Sequence, residues 1–305
     1  MASSHQNPDN NKTYKFEDPL LDATVKSTAK LNIDILLHGE TGTGKDTLAE
    51  KIHLLSERQG SYVAINCAAI PESLAESQLF GVTPGAFTGA MQSRAGFIEA
   101  SNRGTLYLDE IDSMPLTLQA KLLRVLETRG VERLGSTKFI PVDMRVIASA
   151  QSSLHSMVEQ GQFRRDLYFR LNVVCIHLPP LRERREHILP LFMNLIKREA
   201  AFFNAPLPSH SAPLLEHLIC HDWPGNVREL RSVAKRLVLG LTPVLTDLHR
   251  DEGLKKNLKG RLQQIEKLLI QDALHRHLYS IEAVSLELGI AKRTLYHRMK
   301  QLDIS

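Results

Sequence analysis

The spacing of apolar and polar positions divides the chain into stretches of different period. From Leu31 to about Pro179, short apolar runs alternate with stretches of helical spacing. Ile33–Leu37 predicts a buried strand ending in a glycine-rich turn, and Leu48, Ile52 and Leu55 recur behind it at the period of a helix. Tyr62–Asn66, Thr105–Leu108, Met144–Ala148 and Val173–Leu178 predict further strands. Pro71–Leu79 predicts a helix with proline in its first turn, where a missing N–H costs nothing. Leu118, Leu122, Val125 and Leu126 share one face of a helix over Pro115–Thr128, and another helical stretch lies between the last two strands. Strands separated by helices predict an α/β fold, a parallel sheet with helices on both faces.

Beyond Pro179 the strand pattern stops. Glu183 to Leu239 reads as helices with a loop at Asn204–His210. A stretch of Gly, Pro and mixed charge follows, then a helix over Arg261–His277 and two short helices ending near Leu302. The expected layout is a short polar N-terminus (1–18), an α/β subdomain (19–180), a helical lid (181–240), a linker (241–260) and a small all-α domain (261–305). No internal repeat is visible.

Composition narrows the classes. The 305 residues are 43% hydrophobic and 24% charged, ordinary for a globular protein of about two domains. Cys67, Cys175 and Cys220 are odd in number and far apart, which predicts neither disulfides nor a zinc site; each reads as a small interior residue in a reducing compartment. The polar start has no signal-peptide pattern, and no apolar run is long enough to span a bilayer. A cytoplasmic protein without a membrane partner is expected. The net charge of +4 is uneven: residues 251–305 hold ten Lys/Arg against seven Asp/Glu and carry +3 of it. Lys292, Arg293, Arg298 and Lys300 fall in one acid-free block, which on its own reads as a solvated helix face and in combination hints at nucleic acid.

The chemistry gathers at strand ends. Gly39-Glu40-Thr41-Gly42-Thr43-Gly44-Lys45 stands between a strand and a helix. This G-x-x-x-x-G-K spacing turns backbone N–H groups toward a phosphate, with Lys45 reaching its outer oxygens. The general pattern continues with Ser or Thr as a magnesium ligand; here Asp46 stands in that place and Thr47 follows. About 65 residues downstream, Leu106-Tyr107-Leu108-Asp109-Glu110 lifts two acids to a strand end. Asp109 suits water-mediated magnesium binding, and Glu110 suits polarising the attacking water. Phosphoryl transfer also wants cations, but Arg164, Arg170 and Arg228 taken singly read as surface residues.

Five segments in order resemble one family. They are the phosphate loop, Gly85-Ala86-Phe87-Thr88-Gly89-Ala90, Gly104–Glu110, Phe163–Asn172 and Trp223-Pro224-Gly225-Asn226-Val227-Arg228-Glu229-Leu230. Together they resemble the sigma-54-dependent transcriptional activators, bacterial enhancer-binding proteins of the AAA+ ATPase class. The resemblance covers about residues 19–240 and, more weakly, the C-terminal module. It implies an AAA+ P-loop parallel sheet with a helical lid, and a ring-shaped hexamer holding ATP and Mg2+ between subunits. It assigns Gly44, Lys45 and Asp46 to the phosphate loop, and Asp109 and Glu110 to magnesium and water activation. Asn66 matches a residue that holds the glutamate when idle. Arg164 and Arg170 match arginine fingers that reach the neighbouring site, and Arg228 matches a lid arginine that senses nucleotide. Phe87 and Thr88 sit on a glycine-bracketed loop, where an exposed aromatic signals a partner. The resemblance makes Gly85–Ala90 the contact to sigma-54 RNA polymerase.

One departure concerns coupling. The family usually has Thr-Asn after the fourth strand, where the γ-phosphate is sensed, and this chain has Ala150-Gln151. A working but altered link between hydrolysis and movement is expected.

Residues 281–302 read helix, turn at Gly289, helix, and are similar to a Fis-type helix-turn-helix. Leu288, Ile290, Leu295 and Met299 are its expected core. Lys292, Arg293, Thr294, His297 and Arg298 are expected to face double-stranded DNA upstream of promoters. Some 18 residues precede the ATPase stretch, so no receiver domain is expected and control falls to expression level, a regulatory protein acting in trans or hetero-oligomerisation. Within the family, Phe80-Gly81-Val82 and Arg293–Lys300 look most like the HrpS/HrpR-type regulators of type III secretion genes. A DNA-binding repressor with a vestigial ATPase fold is the alternative; Lys45, Asp109, Glu110 and the Gly85–Ala90 loop argue against it. The same loop argues against an unfoldase or replication initiator.

Overall fold

The apolar runs pair as the sequence predicts, in parallel. The computed structural model describes residues 19–86, 92–209, 212–241, 262–263, 266–267, 269–271, 273–274, 277, 279–302 and 304. Two compact units divide the chain, Met1–Leu178 and Pro179–Ser305. In the first, the elements run α1 (Pro19–Ala29), β1 (Ile35–His38), α2 (Lys45–Leu55), β2 (Tyr62–Asn66), α3 (Glu72–Phe80), α4 (Phe97–Ala100), β3 (Thr105–Asp109), α5 (Leu116–Thr128), β4 (Gly130–Glu132), β5 (Phe139–Pro141), β6 (Arg145–Ala150), α6 (Leu154–Glu159), α7 (Arg165–Leu171) and β7 (Val174–His177).

The sheet order is β2-β3-β6-β1-β7, with every neighbouring pair parallel. Strand alternation splits the core. Leu106 and Leu108 pack with Leu36, Val146 and Ala148 against Leu118, Leu122 and Leu126 of α5 and Leu167 and Leu171 of α7. Tyr107, between them, points to the other face and joins Ile35, Leu37, Ile147 and Ile176 under Leu48, Ala49 and Ile52 of α2. A parallel sheet covered on both faces needs such near-continuous apolar strands. Because all strands run one way, the carboxyl ends of β1, β3 and β6 share a rim, the usual ligand side of an open α/β sheet.

At the opposite rim, fully buried Arg145 starts β6. Its guanidinium donates to the carbonyls of Ala29, Thr28 (2.9 Å) and Ile33 (3.0 Å), which satisfies the last turn of α1.

Several features differ from the sequence expectation. The chain is helical from Pro19, where the apolar pattern of α1 is short. Strands β4 and β5 form an antiparallel hairpin that was not expected, since three-residue strands carry too little alternation to be read. Cys175 lies exposed on edge strand β7 rather than inside, and Cys67 and Cys220 are half-buried.

The second unit is helical among its described residues. α8 (Ile188–Phe203), α9 (Ala212–Cys220) and α10 (Asn226–Val238) enclose Phe192, Leu195, Leu218, Trp223, Leu230 and Val233. The Trp223 indole N–H donates to the Leu218 carbonyl at 2.8 Å. The 241–260 linker expectation lies almost wholly outside the described residues, and the Arg261–His277 helix is described only in part, between residues 262 and 274. α11 (Ile281–Glu287) and α12 (Lys292–Gln301) close on Ile270, Ala273, Leu274, Val284 and Leu295, with Leu288, Ile290 and Met299 packed around them. No helix among the described residues is long and apolar enough to cross a membrane.

Leu122 is fully buried in α5, whereas Leu116 on the same helix is half exposed. Leu122→Ala is expected to lower stability by about 3 kcal/mol and Leu116→Ala by less than about 0.5 kcal/mol, read from urea unfolding followed by circular dichroism.

Candidate functional site

The phosphate loop joins β1 to α2. Gly39 donates its N–H to the Ala150 carbonyl at 3.3 Å, and a side chain there would meet the Leu178 carbonyl at 2.6 Å. Gly44 caps α2 with φ 105°, a conformation that favours glycine. Thr43 is buried, and its hydroxyl donates to the Glu40 carbonyl at 2.8 Å, which tightens the loop. Lys45 Nζ, also buried, donates to the carbonyls of Gly39 (2.7 Å) and Glu40 (3.1 Å). Burial lowers the Lys45 pKa from the ordinary lysine value, while Asp109, Asp46, Asp112 and Glu110 pull the other way. The Thr41 hydroxyl donates to Gln151 Oε1 at 2.7 Å, so the atypical Gln151 is tied directly to the loop that would hold phosphate. Asp112, a residue not singled out in the sequence, accepts the backbone N–H groups of Gln151 (3.2 Å) and Ser152 (2.9 Å).

The acids stand two strands away on the same rim. Parallel register puts Asn66 beside Asp109 and Leu108 beside Ala148, so Ser149 faces Asp109 as well. The Ser149 hydroxyl donates to Asp109 Oδ1 at 2.6 Å and accepts the Glu110 N–H at 3.2 Å. Asn66 Nδ2 donates to Asp109 Oδ2 at 3.0 Å, and its Oδ1 accepts the N–H groups of Ala68 (2.9 Å) and Ala69 (3.1 Å). The register of β2 on β3 sets this Asn66–Asp109 pairing, one residue before the Glu110 that the resemblance pairs with Asn66. Glu110 turns out of the strand in the left-handed region, φ 54° and ψ 49°. That conformation is uncommon for a residue with a side chain and marks a constrained position.

Tyr107 and Ser149 escaped sequence reading. A tyrosine in an apolar strand reads as core, yet its hydroxyl lies 2.8 Å from Asp46 Oδ1 and 3.1 Å from Asp109 Oδ1. Burial, then the charge of Asp46, pushes its pKa well above the ordinary tyrosine value, so it remains a proton donor. Burial likewise pushes the Cys67 thiol up to about 12.

Among the described residues no three His, Cys, Asp or Glu side chains gather into a metal cage. Two carboxylates linked through one hydroxyl still suit magnesium, which takes one or two protein carboxylates and fills its octahedron with phosphate oxygens and water.

The predicted arginines lie elsewhere. Arg164 precedes α7 and forks onto Asp166 at 2.7 and 3.1 Å, in an exposed pair. Arg170 reaches Asp34 Oδ2 at 2.9 Å and the Leu126 carbonyl at 3.1 Å. Arg129 shares the same Asp34 oxygen at 2.9 Å, and Asp34 Oδ1 accepts the Val146 N–H at 3.1 Å. Asp34 precedes β1 whereas the phosphate loop follows it, so about 13 Å of strand separates Arg170's anchor from its own phosphate loop. The geometry anchors Arg170 at the rim opposite the phosphate loop.

Gly85 and Ala86 are described, with Gly85 at φ 80°, whereas Phe87, Thr88, Gly89 and Ala90 lie outside the described residues. The approach to the loop is clamped. Val82 exchanges hydrogen bonds with Arg94 at 2.9 Å, and both the N–H and hydroxyl of Thr83 donate to the Leu134 carbonyl at 3.0 and 2.8 Å. In the second unit, the Trp223–Leu230 segment builds the start of α10. Buried Asn226 accepts the Leu181 N–H at 2.7 Å, Glu229 accepts the Gly225 N–H at 2.9 Å and Arg228 is exposed. On α12, Lys292, Arg293, Thr294, His297 and Arg298 are all exposed; Lys292 pairs with Glu282 and Arg298 lies 3.2 Å from Glu266.

A phosphate loop opposite an acidic strand end, followed by a helical lid and a helix-turn-helix, defines an AAA+ P-loop protein with a DNA-binding module. The chain belongs to the sigma-54-dependent transcriptional activator family. Residues 18–177 match the sigma-54 interaction domain, 182–250 an AAA+ ATPase lid domain and 261–302 the Fis family of bacterial regulatory proteins. It is similar to the pathogenicity-locus regulatory protein HrpS of Pseudomonas syringae pv. syringae, 58% identical over 94% of this chain and 95% of that protein. It is also similar to the pathogenicity-locus regulator WtsA of Pantoea stewartii subsp. stewartii, 56% identical over 93% of this chain and 88% of that one. Among solved structures, NtrX from Brucella abortus in complex with ATP matches with a TM-score of 0.70 and 32% identity, over 95% of this chain and 68% of that one.

Asp34→Ala removes the acceptor shared by Arg129, Arg170 and the Val146 N–H. It is expected to cost about 3 kcal/mol in urea unfolding, because a nearly buried ion-pair partner is lost.

Proposed function

We propose that the protein hydrolyses ATP to remodel sigma-54 RNA polymerase from closed to open promoter complexes while bound to upstream DNA. The observation that carries this reading is the convergence of Lys45, Asp46, Asp109 and Glu110 on one rim, in a chain whose Gly85–Ala90 loop belongs to the sigma-54 interaction domain. Gly39, Glu40, Thr41, Gly42, Thr43 and Gly44 wrap the phosphates, Lys45 neutralises their charge and Thr47 lies in the same first helical turn. Magnesium, when bound with nucleotide, would be held by Asp109 through water and by Asp46, and would supply charge neutralisation on the phosphate oxygens. Glu110, its backbone pinned by Ser149, polarises the attacking water. Asn66 orients Asp109. The ATP complex of the similar NtrX supports nucleotide binding.

Arg164 and Arg170 act in trans, on the site of an adjoining subunit, which favours a ring, with six subunits as the family's form. Arg228 senses nucleotide from the lid. The similarity to HrpS and WtsA supports control of type III secretion virulence genes in the cytoplasm of a plant-associated bacterium, with a homo- or hetero-hexamer and a regulatory protein acting in trans. Gln151, bonded to Thr41, couples the phosphate loop to β6 in place of the usual Thr-Asn pair.

In vitro transcription from a sigma-54 promoter tests the central reading. Open complexes are expected with ATP and not with a non-hydrolysable analogue, and Lys45→Ala is expected to abolish them. Open complexes formed equally well with the analogue would reject it. On the DNA side, Arg293→Ala is expected to weaken binding to the upstream site and to reduce the slope of log affinity against log salt by about one if it contacts phosphate. Gel-shift titration over a salt series measures both.

A further inference from the structure

Tyr107 has no part in the chemistry described so far, yet its hydroxyl lies between two carboxylates of the rim, Asp46 and Asp109. Its ring is only 2% exposed. It is stacked on Tyr62 with ring centroids 6.0 Å apart and roofed by α2, so the hydroxyl has one available direction. That direction ends between Asp46 and Asp109, at 2.8 and 3.1 Å from an oxygen of each. A phenol carries a single proton. Asp109 Oδ1 already receives the Ser149 hydroxyl at 2.6 Å and Asp109 Oδ2 the Asn66 amide at 3.0 Å. The Tyr107 proton therefore goes to Asp46, the nearer acid and the one without another hydrogen bond to its carboxylate among the described residues.

Asp46 stands where the general phosphate-loop pattern has a hydroxyl residue. Its side chain is exposed and leaves from the first turn of α2, so without a partner its carboxylate would sample several rotamers. The hydroxyl absent from position 46 is supplied one layer below, from β3, through Tyr107.

We propose that Tyr107 is a positioning residue for the divalent cation: its hydroxyl fixes the Asp46 carboxylate against Asp109, so that the two acids act as one magnesium-nucleotide site. The inference rests on the nucleotide-binding reading above and extends it to this tyrosine. Tyr107→Phe keeps the ring, its stacking and its burial, and removes only the hydroxyl. Loss of a hydrogen bond to a charged group costs enough to change a binding constant by about tenfold.

The test is the magnesium dependence of binding of a fluorescent N-methylanthraniloyl-ADP by the intact protein. In EDTA, Tyr107→Phe is expected to bind the analogue within about twofold of the unsubstituted protein, which shows a folded phosphate loop. The magnesium concentration at half-saturation is expected to rise about tenfold. Asp46→Asn, at an exposed position that does not disturb the core, is expected to raise it as well and keeps the test open if Tyr107→Phe folds poorly. The double variant is expected to lie within about twofold of Asp46→Asn alone, because the tyrosine acts through that carboxylate. An unchanged magnesium midpoint in Tyr107→Phe or in Asp46→Asn, or effects of the two that multiply, overturns the proposal. Failure of the unsubstituted protein to bind the analogue at any magnesium concentration overturns the nucleotide reading itself.

Discussion

The Asp109 carboxylate at the end of β3 is the point on which the rest of the rim depends. It accepts from Ser149 on β6 and from Asn66 on β2, and it lies within reach of the Tyr107 hydroxyl. These contacts exist because β2, β3 and β6 are parallel and in one register, so the last residues of neighbouring strands stand side by side. A shift of one residue would turn Asp109 into the sheet face and bury an unpaired charge, which is strongly unfavourable. The apolar run Leu106–Leu108 is buried on both faces, so it is the polar strand ends, Asn66, Asp109 and Ser149, that specify the alignment in which each finds its partner.

The two rims of the sheet have separate work. The carboxyl rim carries the phosphate loop, the acids and Gln151. The amino rim carries Arg145 closing the end of α1 and Asp34 binding Arg129 and Arg170. Arg170 thus draws order from the same buried carboxylate that receives the Val146 N–H of β6. The Arg170 guanidinium is held at the rim opposite its own phosphate loop. The clamp of Thr83 on Leu134 likewise ties the start of the Gly85–Ala90 loop to the β4–β5 hairpin.

Much of this was legible in the chain. The strand–loop–helix context of Gly39–Lys45 and the strand before Asp109 are local patterns, and local patterns survive in sequence because a few neighbouring residues determine them. The partners of those residues were less legible. Asn66 donates to Asp109 because strand register, which the sequence does not show, decides which neighbour is in range. Tyr107 and Ser149 carry no signal of their own: each is an unremarkable strand residue until a third strand or a helix end comes within 3 Å. The β4–β5 hairpin was missed because its strands are too short to show a period, and Cys175 was read as interior because its place on an edge strand depends on the sheet order.

By itself the sequence determined the fold class, the phosphate loop, the pair of acids and the basic recognition helix, all of which depend on residues adjacent in the chain or one helical turn apart. Only the tertiary structure decided which donors Asp109 received, which two carboxylates the Tyr107 hydroxyl lies between, and which rim holds Arg170. Those outcomes depend on atoms tens of residues apart meeting within a hydrogen-bond length, and a hydrogen bond is lost within an ångström of misplacement.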